Sequence, residues 1–168
     1  KDAIDIASKG QTPMFVGCDS KAIGMICVAD TLKTTSPDAI RKIKNLGIEV
    51  YMLTGDNKLT ANYIGEQVGA DHVIAEVLPN DKASVVEQLQ KDGKCVMMVG
   101  DGINDAPALV QANVGVAIGS GSDIALDSSD VVLMKSDLND VYKAIKLSKA
   151  TIRNIKQNLF WAFFYNIC

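Results

Sequence analysis

Short apolar runs separated by helical patterns divide most of this chain into strand and helix segments. Residues 14–17 and 23–29 read as strands joined by a turn from Cys18 to Lys21. Ser36-Pro37 predicts a helix start, with Ser36 as the cap and Pro37 at the first position. Apolar residues at 39, 40, 43 and 46 carry the helical period to Gly47, a stop signal. The run Ile48 to Leu53 reads as the next strand, ending at Thr54-Gly55-Asp56-Asn57. A second helix is expected from about Leu59 to Val68, a short strand at 72–75, and a third helix opening at Pro79-Asn80-Asp81-Lys82 and continuing to about Gln90. A strand over 95–99, an acidic loop, a short helix and strands at 114–118 and 131–134 complete the series, with a small-residue turn at 119–121. Helices alternating with apolar strands predict parallel βαβ units, a Rossmann-like α/β sheet with helices on both faces.

From Leu138 the pattern changes. Apolar residues at 138, 141, 145, 152, 155 and 159 keep helical spacing, and between Tyr142 and Lys156 there are five cations (Lys143, Lys146, Lys149, Arg153, Lys156) and no acids. A basic helix feeding an aromatic, apolar segment has the character of a cytoplasmic approach to a transmembrane helix. An amphipathic cap on the core is the alternative. A nucleic-acid stripe fits less well, because the cations run straight into Leu159-Phe160-Trp161. The segment 159–168 is too short to span a bilayer, which takes about 20 residues, so the reading is a piece of a longer protein.

Composition narrows the function classes. The 168 residues suffice for one core, and a net charge of −3 gives no whole-chain argument for nucleic acid. No signal-peptide pattern opens the chain. Cysteines at 18, 27, 95 and 168 are scattered, which disfavours a zinc site or a disulfide framework. Three lie in or beside apolar runs, so buried free thiols in a reducing compartment are expected.

The chemistry concentrates at the ends of the strand segments. Val99-Gly100-Asp101-Gly102-Ile103-Asn104-Asp105 places two carboxylates four positions apart on a glycine-bracketed loop after an apolar run that reads as a strand covered on both faces. Open α/β sheets hold ligands at such carboxyl ends. Two hard oxygen ligands there suit Mg²⁺, which takes one or two carboxylates together with waters and a phosphate. Thr54-Gly55-Asp56 offers a hydroxyl and free N–H groups at a helix start, a phosphate site in principle. Lys82 falls in the first turn of its helix, where the dipole disfavours a cation by about 0.3–1 kcal/mol; an anion facing it would compensate. A hydroxyl, an ammonium and a metal-binding carboxylate pair together describe a phosphoryl-transfer pocket, in which Asn104 can donate to the same anion.

The order Thr-Gly-Asp, Pro-x-x-Lys, Gly-Asp-Gly-x-Asn-Asp resembles the haloacid-dehalogenase pattern. The longer strings from Met52 to Asn57 and from Val99 to Leu109 are similar to the phosphorylation domain of P-type ATPases, as are 119–125 and 129–133. Phe163-Phe164-Tyr165-Asn166 resembles a membrane helix of the copper-transporting, heavy-metal subclass. The resemblance implies ATP as substrate, Mg²⁺ at Asp101 and Asp105, and a phosphoryl group held by Thr54, Gly55 and Lys82 with Asn104 and Asp56 in support. It further implies Asp30 and Lys33 near the nucleotide at a hinge, and Tyr165 and Asn166 as Cu⁺ contacts. The implied division is 1–29 as the end of a nucleotide domain, 30–136 as phosphorylation domain, 137–158 as a basic linking helix and 159–168 as the start of a membrane helix. Residues up to about 156 would be cytoplasmic.

The family's nucleophile motif, Asp-Lys-Thr-Gly-Thr, is absent from the sequence. Asp30-Thr31-Leu32-Lys33-Thr34 does not replace it, because Leu32 stands where a soluble phosphatase needs an acid and a pump has Thr. The chain alone is therefore expected not to turn over ATP. The rival readings are a soluble phosphatase of the same superfamily, a regulatory module retaining only phosphate and Mg²⁺ affinity, and a Zn²⁺ or Cd²⁺ pump of the same subclass.

Overall fold

Residues 11–19, 21–29, 32–101, 103–119 and 127–167 are described by the computed structural model. The strands are β1 (Gln11–Cys18), β2 (Lys21–Ala29), β3 (Tyr51–Leu53), β4 (His72–Ile74), β5 (Met97–Gly100), β6 (Val114–Ile118) and β7 (Val131–Leu133). The helices are α1 (Ser36–Lys44), α2 (Lys58–Val68), α3 (Lys82–Lys91), α4 (Ala106–Gln111) and α5 (Leu138–Ile167), with single-turn helices at Pro79–Asp81 and Ile103–Asp105.

β1 and β2 form an antiparallel hairpin, with Phe15 opposite Met25 and Met14 opposite Ile26. β3 pairs with β4, and β5, β6 and β7 pair in that order, all in parallel. A parallel pair needs a crossover, and α2 supplies one between β3 and β4 while α4 supplies another between β5 and β6. α2 packs on β4, and α4 on β5, β6 and α3. The innermost residues are small or branched: Ala39, Ala61, Val86, Ala108, Leu109, Val116 and Ala117.

A recurrent clasp opens each parallel ladder. The residue just before β4, β6 and β7 is Asp71, Asn113 and Asp130 in turn. Its side-chain oxygen accepts the N–H of Val50, Val96 and Gly115 respectively, at 2.8–2.9 Å. Its own N–H returns to the carbonyl of that same residue at 2.9–3.0 Å. Each clasp lies one residue ahead of the first ladder pair, Tyr51 with His72, Met97 with Val114, and Val116 with Val131. A one-residue slip would break the clasp as well as turn every side chain to the other face.

Several expectations need correction. The free thiols at Cys18, Cys27 and Cys95 are exposed, not buried. Cys18 ends its strand at the hairpin turn, and Cys95 precedes β5 beside Lys94, whose ammonium is drawn out to Glu49. Cys168 lies outside the described residues. Ser36 is the first helical residue rather than the cap; Thr35 takes that place, without a side-chain cap bond. β5 is not covered on both faces: Met97 is 41% exposed, and only Gly100 is buried along the strand. β5 has a ladder partner on one side, β6, and gains no second among the described strands.

α1 packs against the start of α5, where Val141 is buried. Loop 32–35 adds polar ties to the same place. Lys33 Nζ donates to the carbonyl and hydroxyl oxygens of Ser136 at 2.5 and 2.6 Å, and Thr35 Oγ1 to Asp137 at 3.3 Å. From Lys146 onward every described residue of α5 is exposed. Among the described residues no helix is long and apolar enough to cross a membrane.

Candidate functional site

The loop after β3 is built by its own first residue. Thr54 extends the β3–β4 ladder by donating its N–H to the carbonyl of Ile74 at 3.0 Å. Its hydroxyl donates to Asp56 Oδ2 at 2.8 Å and accepts the Asp56 N–H at 3.2 Å. Asn57 then caps α2, its Oδ1 accepting the Thr60 N–H at 3.0 Å. The hydroxyl, the Gly55 backbone and the beginning of an 11-residue helix thus follow one another without a gap.

This loop is stitched to the segment that carries Lys82. The N–H of Val77 donates to the carbonyl of Thr54 at 3.0 Å and that of Glu76 to the carbonyl of Asp56 at 2.9 Å. Val77 is buried, and five residues later Lys82 opens α3. The turn Pro79–Asp81 packs on the turn Ile103–Asp105. Across that contact Lys82 Nζ donates to Asp105 Oδ1 at 2.7 Å, the side chains being 19% and 12% exposed. A cation in the first turn of a helix opposes the dipole. Here a protein carboxylate, itself at the amino end of α4, faces it.

Asp105 is seated by an absence of side chain at Gly100. A Cβ there would lie 2.7 Å from Asp105 Cβ and 2.8 Å from Oδ2. Only glycine therefore lets the end of β5 approach the carboxylate so closely. This requirement was not read from the sequence, although the pattern Val-Gly-Asp carries it. Asp101, the next residue, is exposed, as is Asn104.

The contacts sort the candidate residues into groups. Lys82 and Asp105 meet directly. Thr54, Gly55 and Asp56 belong to a neighbouring loop connected to them through Val77. Asp101 and Asn104 lie on the same turn as Asp105. Lys33 is tied to Ser136 at the root of α5, a partner with no sequence signal beyond its exposed hydroxyl. Tyr165 is 85% exposed and Asn166 Nδ2 donates to the carbonyl of Ala162 at 2.7 Å, both at the far end of α5. Asp30 lies outside the described residues.

The donor set is compatible with a hard divalent cation. Asp105 keeps a second oxygen beyond the one held by Lys82, and Asp101 stands free of any ion pair in the described structure. Mg²⁺ takes one or two carboxylates and fills its other positions with water and phosphate oxygens. It does not need the cluster of three ligands, which is absent among the described residues.

A family model described as haloacid dehalogenase-like hydrolase matches residues 2–113. The chain belongs to the haloacid dehalogenase-like hydrolase family. Over 94% of its length this haloacid dehalogenase-like chain is 56% identical to a copper-exporting P-type ATPase of Staphylococcus epidermidis, and over 99% it is 52% identical to a probable copper-importing P-type ATPase A of Enterococcus hirae. It spans 20% and 23% of those relatives, about a fifth of their length. Among solved structures it is similar to a zinc-transporting PIB-type ATPase in the E2.Pi state, with a TM-score of 0.78 and 39% identity, over 92% of this chain and 25% of that one.

Proposed function

We propose that this chain is the phosphoryl-handling part of an ATP-driven heavy-metal cation pump whose cargo is Cu⁺. The observation that carries the reading is the Lys82–Asp105 junction. There an ammonium and a carboxylate meet beyond the carboxyl end of β5, and the segment leading to Lys82 is hydrogen-bonded to the Thr54 loop through Glu76 and Val77, which supports the reading. The names of relatives more than 50% identical to this chain favour copper over zinc. Since one is named as exporting and another as importing, export rests on the closer of the two identities.

In this reading Thr54 and Gly55 bind the transferred phosphoryl oxygens through the hydroxyl and backbone N–H groups, and Asp56 orients the hydroxyl. Lys82 holds a second edge of the anion, with Asn104 donating beside it. Asp101 and Asp105 would hold Mg²⁺, which supplies charge neutralisation at the phosphoryl oxygens. The acceptor carboxylate would come from another part of the pump. Phosphoryl transfer has little covalent work for the protein, so positioning and charge dominate. Residues 30–136 form the phosphorylation unit and 1–29 the end of a nucleotide-binding unit, with Asp30 and Lys33 at the hinge between them. Residues 137–158 lead from the cytoplasm to a membrane segment beginning at 159, where Tyr165 and Asn166 would contact Cu⁺. Replacing Asp101 with Ala in the intact pump, and following transfer from γ-labelled ATP, tests the reading. Loss of the phosphoenzyme is the expected result; normal phosphorylation would overturn it.

A further inference from the structure

The outer half of α5 carries a surface with its own composition. Leu147, Ile152, Ile155, Leu159, Phe160, Trp161, Phe163, Phe164, Tyr165 and Ile167 are all at least half exposed. So continuous an apolar surface marks a binding face. Along one side of it Lys149, Arg153 and Lys156, at helical spacing, line a shallow groove with Ile152, Gln157 and Phe160. No Asp or Glu occurs after Asp140, so nothing on α5 beyond its first turn offsets these cations. Below them Phe160, Trp161 and Phe164 pack on one another with ring centres 5.4–6.1 Å apart.

We propose that this groove is a site for an anionic phospholipid at a bilayer surface. Lys149, Arg153 and Lys156 would take the headgroup phosphate, and Ile152 and Phe160 would lie along the first part of an acyl chain. The order along the helix carries the argument. The cations stop at Lys156, and the residues from Gln157 to Ile167 carry no charge. At 1.5 Å per residue this uncharged part rises about 16 Å, roughly half of a hydrocarbon core about 30 Å thick. With the aromatic cluster immersed, the three cations come to the headgroup level, where anionic lipid concentrates negative potential. A polynucleotide would use the cations but leave the aliphatic and aromatic floor wet, and free phosphate would ignore it altogether. The inference concerns headgroup selectivity and does not need the phosphoryl site or the copper assignment. It shares with the proposed function only the approach of α5 to a membrane.

Flotation of the whole 168-residue chain with phosphatidylcholine vesicles, with and without phosphatidylglycerol, tests it. Trp161 is the only tryptophan, so a blue shift of its emission reports burial of the aromatic cluster. The wild-type chain should prefer the phosphatidylglycerol vesicles, and added salt should weaken that preference. Combining Lys149→Gln, Arg153→Gln and Lys156→Gln should cost about 100-fold in affinity for them, about fivefold per cation. Binding to neutral vesicles should hardly change. All three side chains are exposed, and far-UV circular dichroism checks that the fold survives. Equal affinity for both vesicles would overturn the headgroup site while leaving membrane association standing; binding to neither would remove both. A preference surviving in the triple variant, or single-stranded DNA displacing the vesicles, would also overturn it.

Discussion

Lys82 and Asp105, 23 residues apart in sequence, meet in an ion pair of 2.7 Å from which solvent is largely excluded. Breaking a mostly buried pair from one side strands the other charge, which is far more costly than losing an exposed bridge. Lys82→Met or Asp105→Asn should each lower unfolding free energy by about 2–4 kcal/mol. The double variant should lose clearly less than the sum of the two. Urea unfolding of the four chains in the cycle measures both quantities.

Gly100 sets the position of that carboxylate. Adding one methyl group puts carbon 2.7 Å from Asp105 Cβ, so the side chain must shift. Gly100→Ala should cost about 1–3 kcal/mol by overpacking. It should also weaken Mg²⁺-dependent binding of a phosphate analogue. Combining it with Asp105→Ala should recover part of the stability but none of the binding, which calorimetric titration and thermal unfolding would together reveal.

Acid should loosen the β3–β4 ladder at its clasp. The Lys44 ammonium, and after it the Val50 N–H, hold the Asp71 carboxyl below its ordinary range. A carboxylate whose folded value is depressed stabilises the chain at pH above its unfolded value of about 3.9, and the contribution disappears as pH falls through the folded value. Asp71→Asn should therefore be less stable at neutral pH and lose less on acidification from about pH 5 to about pH 2. Thermal unfolding across that range, compared with wild type, gives the answer.

Lys33 should matter to the root of α5. Its ammonium meets both oxygens of Ser136, so Lys33→Met removes two bonds joining loop 32–35 to Ser136 and leaves the Thr35–Asp137 bond in place. Amide hydrogen exchange should accelerate at 136–140 by about fivefold, corresponding to roughly 1 kcal/mol of local opening. Exchange in β6 should stay as it was.

The elements with the plainest periodicity were also the most legible. The strand expected at 114–118 has those bounds in the structure, because its three middle residues are buried and it pairs with β5 from Val114 onward, even though Asp130 holds the Gly115 N–H. The run from Ile48 reads as strand in sequence but pairs only from Tyr51. Asp71 takes the Val50 N–H through its side chain, a long-range bond that a local pattern does not contain. Asn113 shortens β5 in the same way by holding the Val96 N–H. At the site, the residue types on the Thr54 and Asp101 loops were legible, since each follows an apolar run. That the anion opposite Lys82 would be Asp105 was not, because only the packing of two single-turn helices brings them together. Cys18 and Cys27 are exposed for the opposite reason: apolar neighbours in sequence do not ensure cover when a two-stranded ribbon leaves its side chains open.

Among the described residues α5 is tied at its root, by α1 and, through Ser136 and Asp137 just before it, by Lys33 and Thr35. A 30-residue helix held at one end is a lever. Its length is about 45 Å at 1.5 Å per residue, so a tilt of about 10° at Ser136 carries Ile167 sideways by about 8 Å. Rotations too slight to disturb the Lys82–Asp105 contact would be magnified into displacements of more than a helix turn at the aromatic end.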